Sequence, residues 1–298
     1  MKKFLFPFAL LFAASIIFTA CRDNEPCLSV TDVTLNRTTL ELVIGETETL
    51  IATVMPEDAD DKTVTWTSGN ETIAKVDENG VVTAVSEGFT TITVRAGTQV
   101  ATCWIRVIDG VRINDVIWAT RNVDAPGTFA QNPRDAGMLF QWNRRVGWSS
   151  ENPMINSDGG TTWDNSYSTS VFFLNDPCPE GWRVPTREEL QSLVDAGSTW
   201  SWGNQMTQTL GGRYFGTAPN QIFLPAAGFR SNFHSGALDD VGTNGLYWSE
   251  TFYPQLGGTF AHSLRFDGSF NKVLGIPRAE GLSVRCVADE MVYISTPD

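Results

Sequence analysis

Apolar and polar residues alternate, or nearly so, along 30–35, 40–43, 47–54, 64–68, 74–76, 81–85, 89–96 and 100–107. Successive side chains of a strand point to opposite faces, so a period of two predicts half-buried β-strands. Turn-forming residues separate these runs: Ile44-Gly45-Glu46, Met55-Pro56-Glu57, Ser68-Gly69-Asn70 and Asp77-Glu78-Asn79-Gly80. Asn79-Gly80 between two alternating runs predicts a hairpin, because both residues tolerate the positive φ angles of a tight turn. No helical period appears. Short strands at this spacing predict a β-sandwich over residues 28–109.

Beyond Gly110 the alternation weakens. Strands are expected at 116–119, 222–224, 246–249, 261–266 and 281–287, separated by long Gly/Asn/Ser loops. One helix is predicted after Thr186. That residue is a good N-cap, Glu189 completes a capping box, Leu190, Leu193 and Val194 share a face, and Gly197 ends it. Loops this long stay compact only with covalent closure or many buried aromatics.

Composition changes at the same place. Of ten tryptophans, only Trp66 and Trp104 precede Gly110. The chain therefore divides into 28–109 and 110–298. Trp66 is read as a core residue of the first part. In the second, Trp142, Trp148 and Trp163 are read first as core filling, with sugar stacking as the rival role. Trp200 and Trp202 alternate on an extended segment and would face the same way; they too are read first as core filling, with stacking of a sugar ring as the rival role.

The N-terminus carries an address. Lys2 and Lys3 precede an apolar run, 4–18, too short to span a membrane, which ends in small residues. Residues 1–20 read as an export signal and 21–27 as a linker. Phe18-Thr19-Ala20-Cys21 resembles a bacterial lipobox, and Arg22-Asp23-Asn24-Glu25 resembles the surface-export signal of Bacteroides-type lipoproteins. This implies a lipid on Cys21, which would anchor the chain to the outer membrane, facing the cell exterior.

Five cysteines less Cys21 leave Cys27, Cys103, Cys178 and Cys286, an even number that suggests two bridges in an exported protein. Net charge is −13 with no basic stripe, which argues against nucleic acid as a partner. Two histidines argue against a histidine-rich metal site. No cofactor is implied.

Val33-Thr34-Leu35, Val64-Thr65-Trp66-Thr67-Ser68 and 80–88 (Gly-Val-Val-Thr-Ala-Val-Ser-Glu-Gly) resemble the bacterial Ig-like domain of group 2. In such a sandwich the positions of Cys27 and Cys103 are neighbours, so a Cys27–Cys103 bridge is expected. Five segments of the second part resemble the Fibrobacter succinogenes major paralogous domain. They are 118–124 (Trp-Ala-Thr-Arg-Asn-Val-Asp), 178–186 (Cys-Pro-Glu-Gly-Trp-Arg-Val-Pro-Thr), 224–230 (Leu-Pro-Ala-Ala-Gly-Phe-Arg), 245–250 (Gly-Leu-Tyr-Trp-Ser-Glu) and 283–287 (Ser-Val-Arg-Cys-Val). That family is thought to share the C-type-lectin-like fold, and its formylglycine-generating relatives have similar Arg-Cys-Val segments. The resemblance implies a Cys178–Cys286 bridge from the helix region to the closing strand, and loop-holding roles for Arg183 and Arg285. A catalytic thiol is disfavoured, because an oxidising compartment removes spare thiols.

The expected fold class is mainly β with a minor α+β part: an Ig-like β-sandwich followed by a loop-rich C-type-lectin-like domain. The calcium tripeptides of sugar-binding lectins are missing. Trp248-Ser249-Glu250 falls near one of them, so Trp248 and Glu250 are weak ligand-site candidates, with Asp239, Asp240 or Asn244 as helpers to Glu250. His234 and His262 each neighbour a serine, but no nucleophile elbow occurs and no catalytic set is assigned. The order of parts suggests a surface binding or adhesion protein for a glycan or protein ligand. A structural subunit of a surface assembly is the alternative, and an enzyme is disfavoured.

Overall fold

The computed structural model describes residues 27–170, 173–204, 206 and 209–290. The expected signal, the linker residues before Cys27 and the lipidation position Cys21 lie outside the described residues. The chain divides into two compact units between Arg106 and Val107.

The first unit holds three sheets. One has the order Thr39–Val43, Gln99–Ile108, Gly88–Ala96, Val64–Ser68; a second Thr47–Thr49, Val81–Ala84, Ala74–Val76; a third pairs Asp32–Leu35 with Ala52–Met55. The Asn79-Gly80 hairpin forms as expected, with Ala74 opposite Ala84 and Val76 opposite Val82. Asp77 organises it by accepting from the Asn79 and Val81 N–H groups. Gly80 has φ +79°, and a Cβ there would meet the Leu50 carbonyl at 2.5 Å, so the turn requires glycine twice over.

The expected single strand 47–54 is two strands. Leu50 N–H turns to the Gly80 carbonyl, while Ile51 N–H donates to Asn36 Oδ1 and its carbonyl accepts from Asn36 N–H. The chain thereby leaves one sheet for another, and buried Leu50 marks the crossing. Val33, Val94 and Ala96 form a core cluster against which Trp66 packs half-buried. Trp104 and Phe89 are exposed.

The second unit has many more strands than its weak alternation suggested. Four sheets form: Gly110–Ile113, Val116–Ala119, Val287–Ala288, Trp182–Arg183; then Gly147–Trp148, Leu139–Gln141, Gly281–Leu282, Phe229–Ser231, Ala237–Asp239; then Ser198–Ser201, Gly212–Thr217, Asn220–Pro225; and Gly245–Tyr253, Phe260–Phe266, Asn271–Pro277. Several, such as Leu139–Gln141 and Gly245–Trp248, are buried on both faces and so carry no polar alternation.

The expected strand 281–287 is also divided. Gly281–Leu282 joins one sheet and Val287–Ala288 another. Between them, Val284 and Cys286 accept from the Val123 and Ala119 N–H groups, and Tyr247 bridges Ser283. The helix Arg187–Asp195 begins with the anticipated capping box between Thr186 and Glu189. Its Leu190 and Leu193 enter a core with Trp118, Phe215, Tyr247 and Phe266. Each buried leucine contributes about 1.5–3 kcal/mol.

Cys178 and Cys286 are disulfide-bonded across 108 residues of sequence. Cys103 is a buried free thiol, so the expected Cys27–Cys103 bridge is not formed. Cys103 lies on a strand with its side chain turned into the core, where apolar packing replaces the bridge.

Candidate functional site

The ligand candidates read from the sequence do not assemble into one site. Trp248 is almost fully buried, and its indole N–H donates to the Phe140 carbonyl at 2.6 Å. It lies on a strand paired on one side with Phe260–Phe266 and bridged on the other through Tyr247 to Ser283, so it fills the core and offers no face to a ligand. Trp142, Trp148 and Trp163 are buried as well. Trp142 donates to the Ser249 carbonyl and carries the Arg278 guanidinium 4.1 Å above its ring.

Trp200 and Trp202 do come together, with ring centroids 5.7 Å apart, but their planes meet at 78°. Trp200 packs on the core while Trp202 is 81% exposed. The expected pair of co-facing indoles is therefore a single exposed ring braced edge-on by a covered one.

Glu250 sits in a bulge of the strand Gly245–Tyr253, where the register with Phe260–Phe266 shifts after Trp248. Its N–H donates to the Pro185 carbonyl, which brings it beside the helix start. Burial pushes its carboxyl up, against the pull of Arg183, with Glu189, Asp176 and Asp289 adding repulsion. Arg183 is already forked onto Glu189 at 2.6 and 2.9 Å. The proposed calcium helpers are elsewhere: Asp239 holds His234 at 2.9 Å and Asp240 holds Asn244 at 2.9 Å. Among the described residues no three acidic, cysteine or histidine side chains are arranged to hold a metal.

His234 meets the Asp239 carboxylate but, among the described residues, no hydroxyl joins them. His262 is half-buried against Tyr253, and burial lowers its pKa. Among the described residues neither histidine side chain is hydrogen-bonded to a serine hydroxyl.

The resembling segments converge inside the protein. Arg285 is fully buried and donates to Asn122 Oδ1 at 2.7 and 3.0 Å and to the Ala119 and Phe223 carbonyls. Asn122 Nδ2 donates to Tyr247 Oη and the Ala136 carbonyl, and Tyr247 donates to the Pro225 carbonyl. Burial lowers Arg285 to about 10 and raises Tyr247 to about 12. Four of the recognised segments thus supply one internal network, which is scaffold rather than site.

The open space lies elsewhere. Two cavities of about 560 Å³ each share Arg134, Asp135 and Thr209 in their walls. Tyr214, Phe223, Gln221 and Asn132 line one; Asp124, Glu151, Gln131 and Val241 line the other. The floor is a cross-strand pair: Tyr214 stands opposite Phe223 in the paired strands Gly212–Thr217 and Asn220–Pro225, ring centroids 5.0 Å apart. Arg134 lies over Phe223 at 4.2 Å and donates to Tyr214 Oη at 2.8 Å. None of these residues stood out in the sequence. Asn132-Pro133-Arg134-Asp135 reads as an ordinary polar turn, and its aromatic partners lie about eighty residues on.

The fold defines a mainly β, two-unit protein whose first unit is Ig-like. Residues 29–107 match the bacterial Ig-like domain (group 2). An uncharacterised protein of Clostridium acetobutylicum is 45% identical over 82 residues, which is 26% of this chain and 21% of that protein. A 3-O-alpha-D-galactosyl-alpha-L-arabinofuranosidase of Bifidobacterium longum subsp. longum is 42% identical over 85 residues, 26% of this chain and 8% of the enzyme. The chain spans about a fifth or less of these curated relatives, and the matched lengths are those of one Ig-like domain. Among solved structures, domains 4 and 5 of the S-layer protein SbsC are similar at 23% identity, over 26% of this chain and 52% of that one, with a TM-score of 0.24. An intimin mutant of EHEC O157:H7 is similar at 12% identity over 83% and 86% of the two chains, with a TM-score of 0.24. Likenesses at these scores carry no functional argument. Among the described residues no helix is long and apolar enough to cross a membrane.

Proposed function

We propose that this chain is a cell-surface binding protein, anchored by lipid on Cys21 at the outer membrane. In this reading the Ig-like unit is a spacer, and a C-type-lectin-like second unit binds a glycan. The observation that carries the reading is the double cavity around Arg134. It combines an aromatic floor with side chains that both donate and accept hydrogen bonds, the lining a sugar requires. The disulfide and the capped helix suit a unit that must keep its shape outside the cell. The arabinofuranosidase relatives share only a short Ig-like segment with this chain, so their chemistry does not transfer.

Two measurements test it. The full chain on a broad glycan array should give reproducible hits that Tyr214→Ala abolishes; an empty array argues decisively against a glycan-binding role. In cells, Cys21→Ala should lose palmitate labelling and membrane retention, and unchanged labelling removes the anchor from the reading.

A further inference from the structure

We infer that the cavity around Arg134 takes a saccharide carrying one ring carboxylate, and that Arg134 is the residue that pairs with it; this deepens the glycan-binding reading and rests on it. The three most deeply buried arginines of the same unit set a pattern. Arg285 spends its donors on Asn122 and two carbonyls. Arg230 donates to Ser149, Gly236 and Glu151 oxygens of the main chain and to the Ser149 hydroxyl. Arg278 donates to the Phe260, Ser168 and Ser170 carbonyls. These three tie loops together, and each does so with at least three hydrogen bonds.

Arg134 does not fit that pattern. It makes a single hydrogen bond, to the neutral phenol of Tyr214, and among the described residues it has no ion pair. The neighbouring carboxylate of Asp135 is turned to Asn132, accepting from its N–H at 2.8 Å and its Nδ2 at 3.1 Å. Yet the Arg134 side chain is not loose. Stacking on Phe223 and the bond to Tyr214 hold the guanidinium flat, half-buried and facing two cavities. A positioned guanidinium with unspent donors is the device proteins use for a planar carboxylate, because its fork matches two oxygens at once and little side-chain entropy remains to be lost.

The surroundings narrow the ligand. The second cavity carries Asp124 and Glu151, both exposed and without an ion pair among the described residues, and the whole chain has net charge −13. A densely charged polyanion is repelled by that field. Hydroxyl groups are not, since carboxylates accept their hydrogen bonds. One carboxylate set among hydroxyls is the chemistry of a single uronic-acid-type residue in an otherwise neutral oligosaccharide.

The test is calorimetric titration of the full chain. The probes are oligosaccharides bearing one glucuronic or galacturonic acid residue, each with its carboxyl-reduced twin. An acidic probe should bind about tenfold or more tighter than its twin. Arg134→Gln should erase that difference while leaving the weak binding of the twin, and Arg134→Lys should restore part of it. An unchanged melting temperature in both variants shows that folding is intact. Equal affinity for acid and twin overturns the inference and leaves glycan binding standing, as does an array hit confined to neutral sugars. Retention of the acid preference in Arg134→Gln also overturns it. An empty array together with no binding to any probe overturns both readings.

Discussion

Arg285 and Asn122, 163 residues apart in sequence, meet in the interior of the second unit through two hydrogen bonds of 2.7 and 3.0 Å to one carboxamide oxygen. Among the described residues no carboxylate is bonded to the Arg285 guanidinium. Its charge is instead spread over Asn122 Oδ1 and the Ala119 and Phe223 carbonyls. Removing one partner of such an arrangement leaves desolvated polar groups with nothing to bond.

Arg285→Met should therefore cost the second unit about 3 kcal/mol or more, from the loss of a buried charged network. Asn122→Ala should cost a similar amount, and the double variant much less than the sum, because the two share the same bonds. Urea denaturation of the four proteins checks this. Additive losses would mean that the two residues act separately.

The Cys178–Cys286 bridge closes a loop with a sequence separation of 108. In the chain-entropy account its removal costs about 4–5 kcal/mol. Replacing both cysteines by serine, or adding reductant, should lower the melting temperature of the second unit and leave the Ig-like unit unaffected. A melting curve indifferent to reductant would contradict a stabilising role.

Cys103 is free, and burial, opposed only weakly by Arg37, raises its thiol to about 11. A buried thiol with so little thiolate should react very slowly with iodoacetamide in the native protein and rapidly in denaturant. Cys103→Val should leave stability within about 1 kcal/mol of the parent, since the change conserves an apolar core volume. Fast native labelling would show that the strand Gln99–Ile108 opens.

Stability should rise as pH falls from neutrality and then collapse. Asp176, Glu250 and Glu280 are each raised, chiefly by burial. A raised folded value means that the folded state holds the proton more tightly, so their contribution is full below the ordinary carboxylate range, about 4, and is lost as pH rises through the folded values. Glu189 is opposite. Burial alone would raise it, but the Arg183 fork and the Thr186 N–H hold it lower. Its contribution is present above about 4.3 and disappears as pH falls through its folded value. Melting temperature should rise from pH 7 toward the ordinary carboxylate range, about 4, and fall below it, and a monotonic fall from pH 7 downward would contradict this balance.

Much of the first unit and the capped helix of the second were legible because their signals are local. Strand alternation, the Asn79-Gly80 turn and the Thr186–Glu189 capping box each act over a few residues. The expected Cys27–Cys103 bridge failed for the opposite reason. Proximity in a family pattern says nothing about which way a cysteine on a strand turns, and Cys103 turns inward. In the second unit, a strand buried on both faces loses the alternation that would announce it, so Leu139–Gln141 was not foreseen.

The sequence by itself determined the strand-and-turn character of the first unit, the capped helix and the recognisable segments around Asn122, Tyr247 and Arg285, since these depend on neighbours in the chain. Only the tertiary structure decided that Trp248 is core, that Glu250 stands by Arg183 rather than Asp239, and that Arg134 lies on Phe223 with donors to spare. Those outcomes rest on contacts between residues far apart in the chain, and burial, not residue type, separates an arginine that braces a loop from one left open to a ligand.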